Sequence, residues 1–476
     1  MKILFLYKYA NYEPLGLMIL SAELKKAGHM CAFVDVKLEK NFIKTVVGLS
    51  PDIIAYSVIT GSHNYYKNIN LKLKKHCSFL SVFGGPHCTF FPDFIHEEGV
   101  DIICRGEADR SIVMLADALE QKHDYCSIPN LWVKKQGEIF KNEMADLCVN
   151  LDTISFPDRN LVNVYSHYRS MKRRDVITSR GCPYNCTYCF NHAGKALYKS
   201  KGRYVRQRSV DNVIEELVIL KDKHGSRKFH FQDDVFTVNR NWTFEFCNAY
   251  KQQVQLPFEV QLRVNLVDDE IVKALKEAGC VLAMYGIESG NDAIRNEVLN
   301  RKISRSKIVE TAALFRRYGI RTMSVNMLGL PDESFENALE TLRLNIDCKP
   351  SYAWNSLYHP YPMTKLAAYS IEKGYFDGDI HSFNESFLFS RSVMKTPDIR
   401  RIENLHFLFP IAVDFPVCLS IVKWATKLRL TGFYKFLFFL HRVFAAVVSL
   451  RRITMSEIFV YEKSRFFAVK KQWQKL

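Results

Sequence analysis

Three cysteines, Cys182, Cys186 and Cys189, stand at C-x3-C-x2-C spacing in the stretch from Thr178 to Phe190. Spacing this short brings three thiolates to one point, and Gly181 and Pro183 let the backbone bend there. The stretch reads as a metal-cluster loop. A closed structural zinc site asks for four protein ligands, and His192 is the nearby residue that would complete a Cys3His set. An iron-sulfur cubane held by three protein thiolates instead keeps one iron open for an outside ligand. The other cysteines are scattered without ligand spacing and read as small buried hydrophobes.

Further polar residues fall where strands should end. Asp233 and Asp234 are adjacent after the run Phe229 to Phe231, and neighbours on a strand point to opposite faces, so at most one reaches a central site. Asp233 and Asp234 are both candidates, with Asp234 preferred, and the alternative is a purely structural role for the pair. Gln261, Arg263 and Asn265 share one face if the stretch is extended, and Arg263 can grip a carboxylate bidentately or pair with a neighbouring Asp or Glu. Glu288 and Ser289 sit between Gly286 and Gly290, a place where an acid can also cap a helix. In Met327 to Glu333, Gly329 permits close approach, while Glu333 can equally begin a helix.

Positioning these residues requires elements with a clear rhythm. Apolar runs at Ile3 to Tyr7, Cys31 to Val36, Asp52 to Ser57, Phe79 to Phe83 and Asp101 to Cys104 alternate with helical stretches such as Leu17, Leu20 and Leu24. That alternation predicts a parallel α/β domain over residues 1–135, with ligands at the carboxyl ends of its strands. No G-x-G-x-x-G follows the first run, which weakens a dinucleotide reading. Residues 136–170 read as a linker, with Phe156-Pro157-Asp158-Arg159 as a boundary. A second βα succession over 171–365, through Asp175 to Thr178, Lys228 to Phe231, Glu259 to Arg263, Leu282 to Gly286 and Arg321 to Leu328, predicts a partial parallel barrel. Residues 366–476 lack that rhythm and read as a helical region. Leu405 to Val448 is rich in Phe, Leu and Val, but Asp414, Lys423, Lys427, Arg429, Lys435 and Arg442 break it before any run of about 18 apolar residues. It suits an interfacial amphipathic helix, a lid over an apolar substrate, or simple packing onto the barrel.

The chain has 476 residues, 48 % of them hydrophobic, enough for two or three domains with sizeable cores. Its 66 Lys and Arg against 50 Asp and Glu leave +16, compatible with nucleic acid, an anionic membrane or a phosphorylated substrate. No RNA-binding aromatic signature accompanies the charge, so nucleic acid is a poor fit. Thirteen cysteines and a strand-like opening without a signal-peptide pattern predict a reducing, cytoplasmic setting.

The cysteine loop, with Tyr188 before and Phe190 after its last cysteine, resembles that of the radical S-adenosylmethionine (SAM) enzymes. The resemblance implies a 4Fe-4S cluster whose open iron chelates SAM and reduces it to methionine and a 5'-deoxyadenosyl radical. It also implies that Asp234, Arg263, Glu288, Ser289 and Gly329 contact SAM. Pro14-Leu15-Gly16-Leu17, Gly28-His29, Pro51-Asp52-Ile53, Ser57 and Gly84-Gly85-Pro86-His87 are similar in order and spacing to the Rossmann-like cobalamin-binding domain that precedes the barrel in one branch of that family. There Ser57, Gly84 and Gly85 would line the pocket of the nucleotide tail; the alternative is an ordinary turn at Gly84-Gly85. The D-x-H-x-x-G motif that gives cobalt a histidine is missing, so none should ligate it. Arg105-Gly106-Glu107 is expected to tie the domain to its neighbour by an ion pair. Many relatives carry Gly at the position of Met363, so a different turn is expected there; His359 and Tyr361 either line the substrate side or belong to a buried loop.

Taken together, the resemblance implies an α/β chain with a partial (β/α)6 barrel and a helical extension. Its expected activity is cobalamin-dependent methylation of an unactivated carbon in a small, lipid-like metabolite, with an external flavodoxin or ferredoxin type donor and peripheral membrane contact. The alternatives are rearrangement or cyclisation without methyl transfer, nucleic-acid modification, and a structural zinc protein.

Overall fold

All five apolar runs of the first domain become strands: β1 (Lys2–Tyr7), β2 (Met30–Asp35), β3 (Ile53–Ser57), β4 (Leu80–Gly84) and β5 (Ile102–Cys104). They pair in parallel in the order β2-β1-β3-β4-β5. The computed structural model describes residues 1–8, 12–383 and 391–445. Strand β1 shows why the apolar runs are continuous. Phe5 and Tyr7 enter one hydrophobic cluster while Leu4 and Leu6 enter the other, because alternate side chains point to opposite faces and both faces are covered. The strand order reverses beside β1, which opens a crevice at the carboxyl ends where such sheets bind ligands.

The sheet continues past the expected boundary at 135. Strands β6 (Leu131–Lys135) and β7 (Glu138–Lys141) form an antiparallel hairpin on the β5 edge, around a turn in which Gln136 and Gly137 both have positive φ. Phe156 to Arg159 does turn, but it is firmly fastened: Asp158 accepts from Ser21 Oγ at 2.8 Å and Lys25 Nζ at 2.6 Å, and Arg159 is buried in an ion-pair network. Turn residues report a local bend and carry no trace of such distant partners.

The chain divides into two units, residues 1–258 with 360–372 and 376–385, and residues 259–359 with 373–375 and 386–476. The first unit adds β8 (Arg173–Val176), the short antiparallel ribbon of β9 (Ser179–Arg180) and β10 (Arg206–Gln207), and β11 (Lys228–Phe231), parallel to β8. The cysteine loop runs between the two strands of that ribbon. Rings of Phe231, Phe236, Phe246 and Phe258 pack edge to face or tilted behind β11.

The second unit follows with β12 (Phe258–Leu262), β13 (Cys280–Glu288), β14 (Arg321–Leu328) and β15 (Tyr352–Leu357). Strands β13, β14 and β15 pair in parallel. Helices Asp269–Ala278, Arg305–Arg317 and Phe335–Cys348 alternate with them, each begun by a side-chain cap, Asp268, Ser304 and Ser334. The βα succession expected of the partial barrel is therefore present. Strand β12 stops at Leu262, one residue early, and Val264–Leu266 is a three-ten turn. Asn265 is thus off the face it was expected to share with Gln261. Glu333 does not begin the following helix, because Ser334 caps it with a reciprocal bond to Asn337.

The C-terminal region is helical at Ile399–Asp414, Leu419–Ala425 and Thr431–Phe444. Helix Ile399–Asp414 is buried, its Leu405 and Phe409 in the cluster with Leu339 and Leu357, and Asn355 Nδ2 donates to His406 O at 3.1 Å. Among the described residues no helix is long and apolar enough to cross a membrane. Val448 lies outside the described residues, as do Asn384, which stands where the cobalt-ligand motif would need glycine after Asp379-Ile380-His381, and the tail Lys463 to Lys475, whose composition reads as a solvated basic surface.

Candidate active site

The cysteine loop leaves β9 at Gly181, whose φ is +85°. A Cβ there would meet the Tyr204 carbonyl oxygen at 2.6 Å, so glycine is required by both conformation and space. Asn191 fastens the loop: its Oδ1 accepts from Cys182 N at 3.1 Å and Tyr204 OH at 3.1 Å, and its Nδ2 donates to Asp234 Oδ2 at 3.1 Å. A weaker 3.5 Å contact joins Nδ2 to Cys189 Sγ. Cys186 is buried, and Cys182 and Cys189 are half-buried. Burial pushes the Cys182 thiol up to about 11, so binding a metal there must displace its proton.

The acidic pair divides as strand alternation requires. Asp233 is buried and accepts from Thr178 N at 3.1 Å, Thr178 Oγ1 at 2.8 Å and Ser179 Oγ, fastening the segment that leads into the loop. Burial pushes its carboxyl up to about 6 in spite of those donors. Asp234 lies beside the thiols, where burial raises it and Asn191 partly offsets the rise. His192, the fourth ligand of a zinc reading, accepts from Lys365 N at 3.2 Å through Nε2 and is thereby occupied with backbone. Among the described residues no three His, Cys, Asp or Glu converge on a single ion. A cubane needs no such convergence, because each thiolate takes its own iron.

The cobalamin candidates meet at the carboxyl ends of β3 and β4. Gly85 has φ +93°, and a Cβ would lie 2.8 Å from Val58 O and 3.3 Å from Ser57 Oγ. Gly84 and Gly85 are partly exposed, leaving a floor of bare backbone on which a flat ring can rest. These residues fit the pocket expected of them. His87 is buried, stacked on His63 with ring centroids 4.3 Å apart. At the end of the same domain, Glu107 pairs with Arg206 and, at 3.1 Å, with Arg180; Asp109 also holds Arg180, at 2.7 Å. The expected tie between the domains is therefore made by Glu107. Phe90, in the short helix Pro86–Phe90 after the glycine pair, stacks on Phe190 at 4.9 Å, and Phe190 faces Tyr361 at 5.6 Å.

In the second unit Arg263 is buried, with Nε donating to Asn265 Oδ1 at 2.8 Å and Nη2 to Arg301 O. Glu288 ends β13 at φ +65°, just after a register shift, and pairs with Arg301 at 3.1 Å. Arg301 Nη2 also donates to Gly286 O at 2.6 Å. Glu288 is thus an ion-paired strand end and not a helix cap. Ser289 is buried and its Oγ accepts from Asn291 N at 3.3 Å. Gly329, at φ +74°, donates to Glu333 Oε2 at 2.6 Å. His359 is buried with Nδ1 near Leu357 O, at 3.1 Å. Sequence reasoning missed Asn191, Tyr204 and Arg301. Each acts through a partner that no periodicity or spacing in the chain announces.

The radical SAM superfamily pattern matches residues 176–344, and the B12 binding domain pattern matches residues 1–116. The chain is a cobalamin-binding radical SAM enzyme. Its cofactors are a 4Fe-4S cluster, SAM and cobalamin. An uncharacterised methyltransferase of Pyrococcus horikoshii is 28 % identical over 367 residues, spanning 75 % of this chain and 78 % of its own. The anaerobic magnesium-protoporphyrin IX monomethyl ester cyclase of Cereibacter sphaeroides is 29 % identical over 377 residues, spanning 75 % of this chain and 60 % of its own length. The radical SAM methyltransferase TsrM of Kitasatospora setae, solved with cobalamin and a 4Fe-4S cluster, has the same fold at TM-score 0.65 and 18 % identity, covering 78 % of this chain and 75 % of its own. The matched residues include the loop that carries Cys182, Cys186 and Cys189.

Proposed function

We propose that the enzyme methylates an unactivated carbon of a small, largely hydrophobic metabolite. The observation that carries this reading is the joining, in one unit, of the three-cysteine loop to the glycine-floored crevice, through Glu107, Arg180 and Arg206 and the Phe90–Phe190 stack. The Pyrococcus relative and TsrM, both methyltransferases by name, support it. When bound, SAM and the cluster supply a hydrogen-abstracting carbon radical, and cobalamin supplies a methyl group.

The chain's own groups bind, orient and exclude water. Cys182, Cys186 and Cys189 hold the cluster, and Asn191 sets the loop's shape. Asp234 accepts from the SAM amino group, Arg263 binds its carboxylate, Glu288 and Ser289 face its ribose, and Gly329 makes room for adenine. Ser57, Gly84 and Gly85 seat the nucleotide tail of cobalamin. Phe90, Phe190 and Tyr361 keep water from the loop on its crevice side. An external flavodoxin or ferredoxin type protein delivers the reducing electron. A second reading, ring closure without methyl transfer, is favoured by the likeness to the cyclase.

Anaerobic reconstitution with iron, sulfide and cobalamin tests both. Cys186→Ala is expected to abolish iron loading and deoxyadenosine release together. Gly85→Val is expected to lose cobalamin while keeping the cluster. Product carrying a methyl group from labelled SAM supports methyl transfer, whereas deoxyadenosine with a cyclised, unlabelled product supports ring closure. Full deoxyadenosine release by the Cys186→Ala enzyme overturns the whole assignment.

A further inference from the structure

From Phe415 to Ala445 the chain carries five lysines and arginines and not one aspartate or glutamate. Within that stretch, helix Thr431–Phe444 has two apolar stripes. Tyr434 and Phe438 are buried, with Phe438 against Phe407 of the neighbouring helix at 5.7 Å. Phe433, Phe436, Leu440 and Phe444 recur at helical spacing on the other side, and they stand 56, 56, 47 and 49 % exposed. A surface helix ordinarily buries its apolar stripe and shows water a polar one. This helix shows water a second apolar stripe.

The preceding segment continues the pattern. Val417, Ile421 and Trp424 are exposed, as is Leu430 at the turn, and Lys427 and Arg429 stand exposed between the two helices. Lys423 is matched by Glu336 at 2.8 Å. Scattered apolar side chains are ordinary on a surface, but a row of them bordered by cations marks a contact face. Aromatic and aliphatic side chains beside Lys and Arg, without acids, are the composition that settles into a lipid headgroup layer.

We propose that this face docks on an anionic phospholipid bilayer, with helix Thr431–Phe444 lying along the interface. Its charge favours lipid over a second copy of the chain, since a two-fold contact would set like cations against each other. It favours lipid over RNA as well, since RNA would meet the cations and leave the phenylalanine row in water. The docking is independent of the reaction proposed above, and its failure would leave that reading standing.

Co-sedimentation of the reconstituted full chain with vesicles of phosphatidylcholine alone, and of phosphatidylcholine with phosphatidylglycerol, tests this. Binding is expected to the anionic vesicles and to weaken with salt. Lys427→Gln with Arg429→Gln should weaken it about fivefold per charge removed. Phe433→Ser with Phe436→Ser should abolish it, while deoxyadenosine release stays unchanged. If the phenylalanine variant fails to fold by circular dichroism, the exposed Lys427 and Arg429 pair decides. Equal binding to neutral vesicles, no binding to either kind, or no effect of the Lys427 and Arg429 changes overturns the proposal. So does light scattering that shows a dimer in place of vesicle binding, or RNA that competes the chain off the vesicles and holds the phenylalanine variant equally well.

Discussion

Met363 holds a backbone conformation that suits glycine, with φ +65°. The exchange of Gly for Met was expected to change the turn; the left-handed residue is nevertheless there, set by the segment around it. Thr364 Oγ1 donates to Tyr361 O at 2.6 Å, and Leu366 N donates to Thr187 O at 2.9 Å, so both sides of Met363 are tied. A side chain in this region costs about 1–2 kcal/mol, and the Met363 side chain is 57 % exposed and recovers little by packing. Met363→Gly is therefore expected to raise stability by about 1 kcal/mol, after the extra chain entropy of glycine, measured as an upward shift of the thermal midpoint. A lower midpoint would show that Met363 packs in a way its exposure conceals. Gly181 and Gly85 are the reverse case, where the backbone needs glycine and the chain supplies it.

At the scale of the element, the turn after β14 determines a pH response. Gly329 N and Leu330 N both donate to Glu333 Oε2, at 2.6 and 3.2 Å. Burial nonetheless outweighs the two donors and pushes the Glu333 carboxyl from an ordinary 4.5 up to about 8. A carboxyl raised in the folded state binds its proton more tightly there than in the unfolded chain. Its contribution to stability is complete below about 4.5 and is lost progressively as pH rises to about 8. Glu333→Gln keeps an acceptor for both amides and cannot ionise. The variant should lose that decline, so that its urea midpoint gains on the parent's between pH 5 and pH 8, at about 1.4 kcal/mol per pKa unit. Parallel curves for the two proteins would mean that Glu333 is ionised throughout this range.

At the scale of the whole chain, segments far apart in sequence meet in one buried charge network of the first unit. Glu13 pairs with Arg159 and Arg174, each at 2.7 Å, and Arg159 reaches Glu216 at 3.0 Å, which in turn holds Arg208 at 2.6 Å. Burial acts to raise the Glu13 carboxyl, but the two guanidiniums and the Asp175 amide overcome it and hold it below its ordinary value. Glu13 thus contributes stability above about 4.5 that is lost as pH falls through its lowered value. Glu13→Ala takes the carboxylate from buried Arg174 and leaves Arg159 with Glu216 alone, and should cost about 3–5 kcal/mol in denaturant unfolding. A cost below about 1 kcal/mol would mean that water replaces the carboxylate.

The amino-acid sequence alone determined the cluster loop and the strand succession, because both are local: the C-x3-C-x2-C spacing spans eight residues, and a strand buried on both faces is a continuous apolar run. Glycines at Gly181 and Gly85 were legible for the same reason. The tertiary structure decided which of Asp233 and Asp234 lies beside the thiols, that Asn191 joins both ends of the loop, that Glu288 is held by Arg301, and that Glu13 closes a network with Arg159. Hydrogen bonds and ion pairs between distant segments depend on where the folded backbone carries each side chain, and periodicity along a chain contains no record of that meeting. The outer stripe of Thr431–Phe444 makes the same point in reverse: its hydrophobicity was visible in the sequence, but only packing showed which of the two stripes is buried against the described residues and which is exposed.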